Sequence, residues 1–312
     1  MPSRLDAAVL PESIGAESVS VDTNGVRLHT VQAGPEDGPL VVLLHGFPEC
    51  WYGWHRQLGP LAKAGYRVVV PDQRGYNLSD KPAGVANYKL DELAADIVGL
   101  IDACDRETAA VIGHDWGAAV AWWLGMGYPN RLSRLGIVNV PHPAVFESTL
   151  RSGWIQRLKS WYFLWFQLPI LPELTTQLGD WWIARRALES SSRPGTFSRT
   201  EMDRYRLAWS QPGAATGMVN WYRAAVRYWQ RPVDPQVSTP TLVLWGAGDQ
   251  FLKVSMARDS VDYCADGELR LVGSATHWIL HEEPALVIEE LLEFLPEPAR
   301  PRAGTAQPDD PA

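Results

Sequence analysis

The sequence predicts an α/β fold: a mostly parallel sheet with helices on both faces and a helical segment inserted near its middle. Three observations carry this expectation. Short apolar runs alternate with longer helix-forming stretches through the first 140 residues. The alternation stops at Pro141-His142-Pro143, yields to an aromatic-rich stretch, and resumes near residue 241. Gly113-His114-Asp115-Trp116-Gly117 lies between an apolar run and a helix-forming one, and reads as strand, sharp turn, helix.

The elements follow in order. Residues 19–22 and 26–31 flank Asn24-Gly25 and read as a hairpin with a tight turn. Residues 40–44 are continuously apolar, the pattern of a strand buried on both faces. A helix is expected over 51–64, a strand over 66–70 and a helix over 90–104. The next strand ends at Ile112, its helix runs to Tyr128, and a further strand covers 135–140. Residues 141–231 are helical and aromatic, with breaks at Leu168-Pro169, 190–195 and Gln211-Pro212-Gly213. Strands at 241–245 and 269–272 and helices at 254–263 and 284–295 complete the pattern. The expected organisation is a core of 1–140 and 232–296, a helical insert of 141–231 and a disordered tail of 297–312.

Composition narrows the function. The 312 residues are 46% hydrophobic, enough for one large core with an insert. Net charge is 28 − 36 = −8, which argues against nucleic acid and favours a neutral or apolar ligand. Eight tryptophans (Trp154, Trp161, Trp165, Trp181, Trp182, Trp209, Trp221, Trp229) lie between 150 and 230. They suit helix packing and an aromatic-lined pocket alike. Cys50, Cys104 and Cys264 show no metal spacing and suggest free thiols in a reducing compartment. No leader-like segment opens the chain, and the longest apolar stretch, 161–174, is too short for a bilayer. A soluble cytoplasmic protein is expected.

Loops at the carboxyl ends of parallel strands gather at one sheet edge, where ligands bind. Four such loops carry chemistry: His45-Gly46-Phe47-Pro48-Glu49, the turn holding Asp115, Gly246-Ala247-Gly248-Asp249, and Gly273-Ser274-Ala275-Thr276-His277-Trp278. Asp115, Asp249 and His277 stand in the chain order of nucleophile, acid and base. A carboxylate attacks saturated electrophilic carbon well and acyl carbon poorly, because the anhydride formed would outreact the substrate. Asp115 therefore points to opening an epoxide or displacing a halide. His277 suits the base that activates water against the resulting ester, and Asp249 the group that orients it. The backbone N–H groups of Phe47 and Trp116 are placed for the oxyanion, with Pro48 stiffening that loop. The bland readings are a helix cap for Asp115 and a packing role for His277. Asn139 is a poor acid. His45 reads as structural, His29, His55, His142 and His281 as surface or packing residues, and Asp72-Gln73-Arg74-Gly75 as a brace at the site edge.

Together these stretches, with Leu78-Ser79-Asp80 and Trp245, resemble the α/β-hydrolase-fold epoxide hydrolases over roughly 19–295. The resemblance implies the α/β-hydrolase fold with a helical cap, no cofactor and no metal, and diol formation through an aspartyl ester. It also implies two tyrosines that hold and protonate the epoxide oxygen: Tyr162 in Trp161-Tyr162-Phe163 and Tyr222 in Asn220-Trp221-Tyr222-Arg223, with Tyr205 and Tyr228 as fallbacks. The substrate would be a small hydrophobic epoxide, aryl or long-chain, and a detoxifying role and a homodimer fit the family. The same turn is similar to that of haloalkane dehalogenases, and Trp116 matches both. Phe47 stands where dehalogenases commonly carry Asn, which lowers the halide reading. A ligand-binding protein without turnover is a further alternative, disfavoured by the intact Asp115, Asp249 and His277.

Overall fold

The computed structural model describes residues 15–152 and 161–298. Among these, eight strands form one sheet: β1 (Glu17–Thr23), β2 (Val26–Ala33), β3 (Leu40–Leu44), β4 (Arg67–Pro71), β5 (Ala109–His114), β6 (Leu132–Val138), β7 (Thr241–Gly246) and β8 (Gly267–Val272). Their order is β1-β2-β4-β3-β5-β6-β7-β8. β1 and β2 pair antiparallel, as do β2 and β4; every later neighbour is parallel. The hairpin turn places Asn24 and Gly25 at positive φ (41° and 73°), which this residue pair tolerates.

β3, β5 and β7 are buried along their whole length, because helices cover both faces of the parallel region. The helices are α1 (His55–Lys63), α2 (Leu90–Ala103), α3 (Trp116–Gly127), α4 (Pro143–Ser152), α5 (Trp161–Trp165), α6 (Leu171–Ser191), α7 (Arg199–Trp209), α8 (Ala214–Arg227), α9 (Val254–Val261), α10 (Ile279–Glu282) and α11 (Pro284–Phe294). α4 to α8 all lie between β6 and β7. Helix α7 opens on a capping box in which Ser198 and Glu201 satisfy each other's backbone N–H groups.

Three elements differ from the sequence expectation. The helix expected from residue 51 begins as a 3-10 turn, Trp51–Trp54, and becomes α-helical at His55. All four residues of that turn are buried, which a one-faced amphipathic helix does not permit. β6 starts at Leu132, earlier than expected, because its backbone keeps pairing with β5 beyond the apolar run, through Arg134 opposite Ala110. α6 is broken at Leu178, Gly179, Asp180 and Trp181, the last three at positive φ, and only Gly179 hints at this in the sequence.

The aromatic insert divides its tryptophans. Trp181, Trp209 and Trp221 are buried, while Trp161 and Trp182 are 62% and 63% exposed. Trp154 and the tail from 299 onward lie outside the described residues. Cys50 and Cys104 are buried and Cys264 is half-buried. Among the described residues no helix is long and apolar enough to cross a membrane.

Candidate active site

β5 delivers Asp115 through a turn that only small neighbours allow. Asp115 sits at φ 51°, ψ −124°, a backbone conformation that costs on the order of 1–3 kcal/mol for a residue with a Cβ. A Cβ on Gly117 would come within 2.7 Å of the His45 carbonyl oxygen, so the following helix could not approach β3 as closely. A Cβ on Gly46 would lie 2.6 Å from Asp115 Oδ1. These glycines let the carboxylate project from the strand end into the loop after β3.

There the Phe47 N–H donates to Asp115 Oδ1 at 2.7 Å. Trp116 is the first residue of α3, so its N–H has no acceptor within the helix. The Phe47–Pro48 peptide is cis, and the Trp209 indole N–H donates to the Pro48 carbonyl. His45 is buried beneath this loop, accepting from the Gln73 N–H at 3.0 Å. Asp72 is buried beside it, contacting His29 at 2.6 Å and accepting from the Trp51 N–H at 2.9 Å.

The other carboxylate oxygen of Asp115 faces the loop after β8. His277 Nε2 lies 3.4 Å from Asp115 Oδ2, and His277 Nδ1 lies 2.7 Å from Asp249 Oδ2. Asp249 follows β7, and its Oδ1 accepts from the N–H groups of Phe251 (2.7 Å) and Leu252 (2.9 Å). Burial alone would lower the His277 pKa, but Asp249 and Asp115 overcome it and push it up to about 10. Burial likewise works against the charged Asp249; His277, Asn139 and backbone N–H groups prevail and hold its carboxyl below the usual range. At neutral pH the centre is an imidazolium clamped between two carboxylates.

Asn139 belongs to this centre, although the sequence shows it only as a poor acid. It ends β6 at φ 55°, donates to Asp249 Oδ2 at 2.7 Å and accepts from the Gly246 N–H at 2.9 Å. Asn139→Ala would leave the Gly246 N–H and one Asp249 lone pair unsatisfied. The expected cost is about 1–3 kcal/mol in urea unfolding, with slower turnover as His277 loses its anchor. Unchanged stability and turnover would remove Asn139 from the centre.

His114 and Glu49 are a second addition. His114 is buried behind Asp115, its Nε2 is 2.8 Å from the His277 carbonyl oxygen, and its Nδ1 faces Glu49 Oε2 at 3.3 Å. His281, expected at the surface or in packing, is buried and binds Glu49 Oε1 at 2.7 Å. Both Glu49 and His114 sit inside motifs already notable in the sequence, so position was a signal and pairing was not.

The two tyrosines line the same cleft as the Asp115 carboxylate, from α5 and α8. Tyr222 on α8 is buried, with its ring 5.0 Å from Trp116, 5.1 Å from Phe47 and 5.8 Å from Tyr162 on α5. Burial first, and then the Asp115 charge, push both phenols above the ordinary tyrosine range. They remain hydrogen-bond donors. Tyr205 is turned elsewhere and donates to Glu49 Oε1 at 2.6 Å, while Tyr228 is 45% exposed. A cleft of about 130 Å³ runs between helices and sheet edge, lined by Asp115, Trp116, Phe146, Tyr162, Phe163 and Tyr222 among others. Its wall is mostly aromatic and aliphatic.

Comparison with known proteins agrees with this fold. A family profile described as the alpha/beta hydrolase fold matches residues 39–284. The AB hydrolase superfamily protein YfhM of Bacillus subtilis is 48% identical over 90% of this chain and 98% of its own length. Epoxide hydrolase 4 of Homo sapiens is 38% identical, covering 90% of this chain and 79% of that protein. Epoxide hydrolase A of Mycobacterium tuberculosis is 34% identical, covering 88% and 96%. The crystal structure of epoxide hydrolase A from Mycobacterium thermoresistibile superposes with a TM-score of 0.80 at 32% identity, over 90% of this chain and 98% of that one. The chain belongs to the epoxide hydrolase family of the α/β-hydrolase fold.

Proposed function

We propose that this protein hydrolyses a hydrophobic epoxide to a vicinal diol through an ester to Asp115. The observation that carries the reading is the arrangement around one carboxylate. Oδ1 is held by the Phe47 N–H, Oδ2 faces His277, and Tyr162 and Tyr222 stand together across the cleft.

The chemistry follows from these positions. Oδ2 attacks the less hindered epoxide carbon while Tyr162 and Tyr222 donate to the ring oxygen. The phenols are weak acids here, so the proton they release is replaced, from the His277 imidazolium or, where that is absent, more slowly from water. Ring opening therefore removes the Asp115 charge and the His277 proton together. The histidine now faces one carboxylate instead of two, its pKa falls, and it accepts a proton from water. Hydroxide adds to the ester carbonyl, and the oxyanion forms on Oδ1 against the Phe47 and Trp116 N–H groups. Collapse returns the Asp115 carboxylate, the imidazolium and the diol, with one water consumed. We assign residues 141–231 the role of a cap that excludes bulk water from these steps.

Assaying a panel of aryl and alkyl epoxides beside haloalkanes tests the proposal. Diol formation without halide release supports it, and halide release with inert epoxides contradicts it.

The imidazolium also makes stability depend on pH. The folded His277 pKa, about 10, exceeds its ordinary 6.5, so this contribution is complete below 6.5 and is lost as pH rises through 10. The stability margin of wild type over His277→Gln should shrink between those values in urea unfolding. A constant margin would contradict the charged resting state.

A further inference from the structure

Three side chains outside the catalytic centre converge where α7 meets the sheet domain: His55 at the start of α1, His281 in α10 and Glu201 in the first turn of α7. One ring nitrogen of each histidine and one Glu201 oxygen lie within 4.8 Å of one another, with His55 Nε2 3.6 Å from Glu201 Oε1. Tetrahedral zinc, with bonds of about 2.0–2.2 Å, draws its ligands to about 3.4 Å apart. The trio needs closure of up to about 1.4 Å to reach that geometry.

The hydrogen bonds prepare both rings as ligands. His55 Nδ1 lies 2.7 Å from the Tyr52 carbonyl oxygen, so Nδ1 holds the proton and Nε2 keeps its lone pair. His281 Nε2 lies 2.7 Å from Glu49 Oε1, and its Nδ1 is buried without a hydrogen-bond partner. Carbonyl and carboxylate contacts of this kind fix the tautomer of metal-binding histidines. The positive charge opposite Glu201 Oε1 is the Arg56 guanidinium at 2.8 Å. The His55 and Arg56 side chains are 21% and 31% exposed, which gives an ion a path from solvent.

We propose that His55, Glu201 and His281 form a site for a divalent transition-metal ion of the zinc class, with Arg56 as the cation it displaces. Two imidazoles and one carboxylate suit Zn²⁺, Co²⁺ or Ni²⁺; Mg²⁺ and Ca²⁺ prefer all-oxygen sets. The ion ties α7 to α1 and α10, so its binding fastens the helical insert to the sheet domain independently of the catalytic proposal.

Metal-stripped full-length protein, titrated with Co²⁺ and followed by visible absorption, tests the site, with Mg²⁺ as control. Wild type is expected to take one equivalent that Zn²⁺ displaces, and to melt at higher temperature with Zn²⁺. His55→Gln and Glu201→Gln should each weaken uptake by about tenfold or more, and Arg56→Met should tighten it. The melting shift with Zn²⁺ should vanish in both ligand variants even where their own melting temperature differs. Uptake unchanged in both ligand variants, no uptake by wild type and Arg56→Met, or weaker uptake by Arg56→Met would each overturn the proposal.

Discussion

His277→Gln is expected to halt the reaction halfway, with Asp115 esterified and no diol released. Glutamine can still donate toward Asp249 but has no basic nitrogen. Water then meets the ester without a proton acceptor, since Asp249 is committed to the Phe251, Leu252 and Asn139 donors. Losing a positioned base costs on the order of 10²–10⁴ in rate. Intact-mass measurement after mixing with an aryl epoxide should show the protein heavier by the whole substrate mass, because ring opening expels no fragment. Peptide mapping should place the addition on Asp115. Loss of turnover with unmodified protein would mean that ring opening cannot proceed without His277, contrary to its assignment as the base of ester hydrolysis.

Tyr162→Phe with Tyr222→Phe is the second large effect. Both phenols lose their donor while the rings, and with them the packing against Phe47, Phe166 and Trp116, remain. An unprotonated alkoxide is a poor leaving group even with ring strain, so single-turnover ester formation should slow by roughly 10²–10⁴. Each single variant should be milder, because the partner phenol still reaches the oxygen. Tyr228→Phe serves as the control: that residue lines the cleft but is 45% exposed. Equal losses in Tyr228→Phe and the double variant would show that the effect is general to the cleft. A double variant with undiminished ester formation would remove the tyrosines from ring opening.

The residues of the candidate site are legible because they sit where strand periodicity ends. Asp115 and Asp249 follow buried apolar runs and His277 follows the partly exposed edge strand β8, and parallel strands carry such positions to one edge whatever the helices do between them. Asn139 satisfied the same rule, ending β6 next to β7, yet it was discounted because an amide cannot act as the acid. Its role is to hold the acid, and that becomes visible only when the register brings it to Gly246 and Asp249. Glu49 and His114 were hidden for a related reason. Their partners, His281 and the His277 carbonyl, lie far along the chain and meet them only in the folded core.

The breaks between helices of the insert are readable from Pro and Gly, whereas the break within α6 and the direction of each aromatic ring are not. Tyr205 and Tyr222 occupy similar helical, aromatic surroundings, and packing turns one toward Glu49 and the other toward Trp116. The distinctive Asn220-Trp221-Tyr222-Arg223 context separated them only because Arg223 and Trp221 are themselves anchored. Arg223 pairs with Glu173 at 2.5 Å, and the Trp221 indole donates to the Arg74 carbonyl at 2.9 Å. The Asp72–Arg74 loop thus reaches the catalytic cleft through Trp221 and not by lining it.

Oxygen bookkeeping probes the central claim, a transient bond between Asp115 and substrate carbon. One turnover with excess enzyme in ¹⁸O-water should yield diol with unlabelled oxygen, the new hydroxyl having come from the Asp115 carboxylate, and leave ¹⁸O in the peptide that carries Asp115. Heavy oxygen entering the diol in that first turnover, with the peptide unlabelled, would mean that water attacks the epoxide directly.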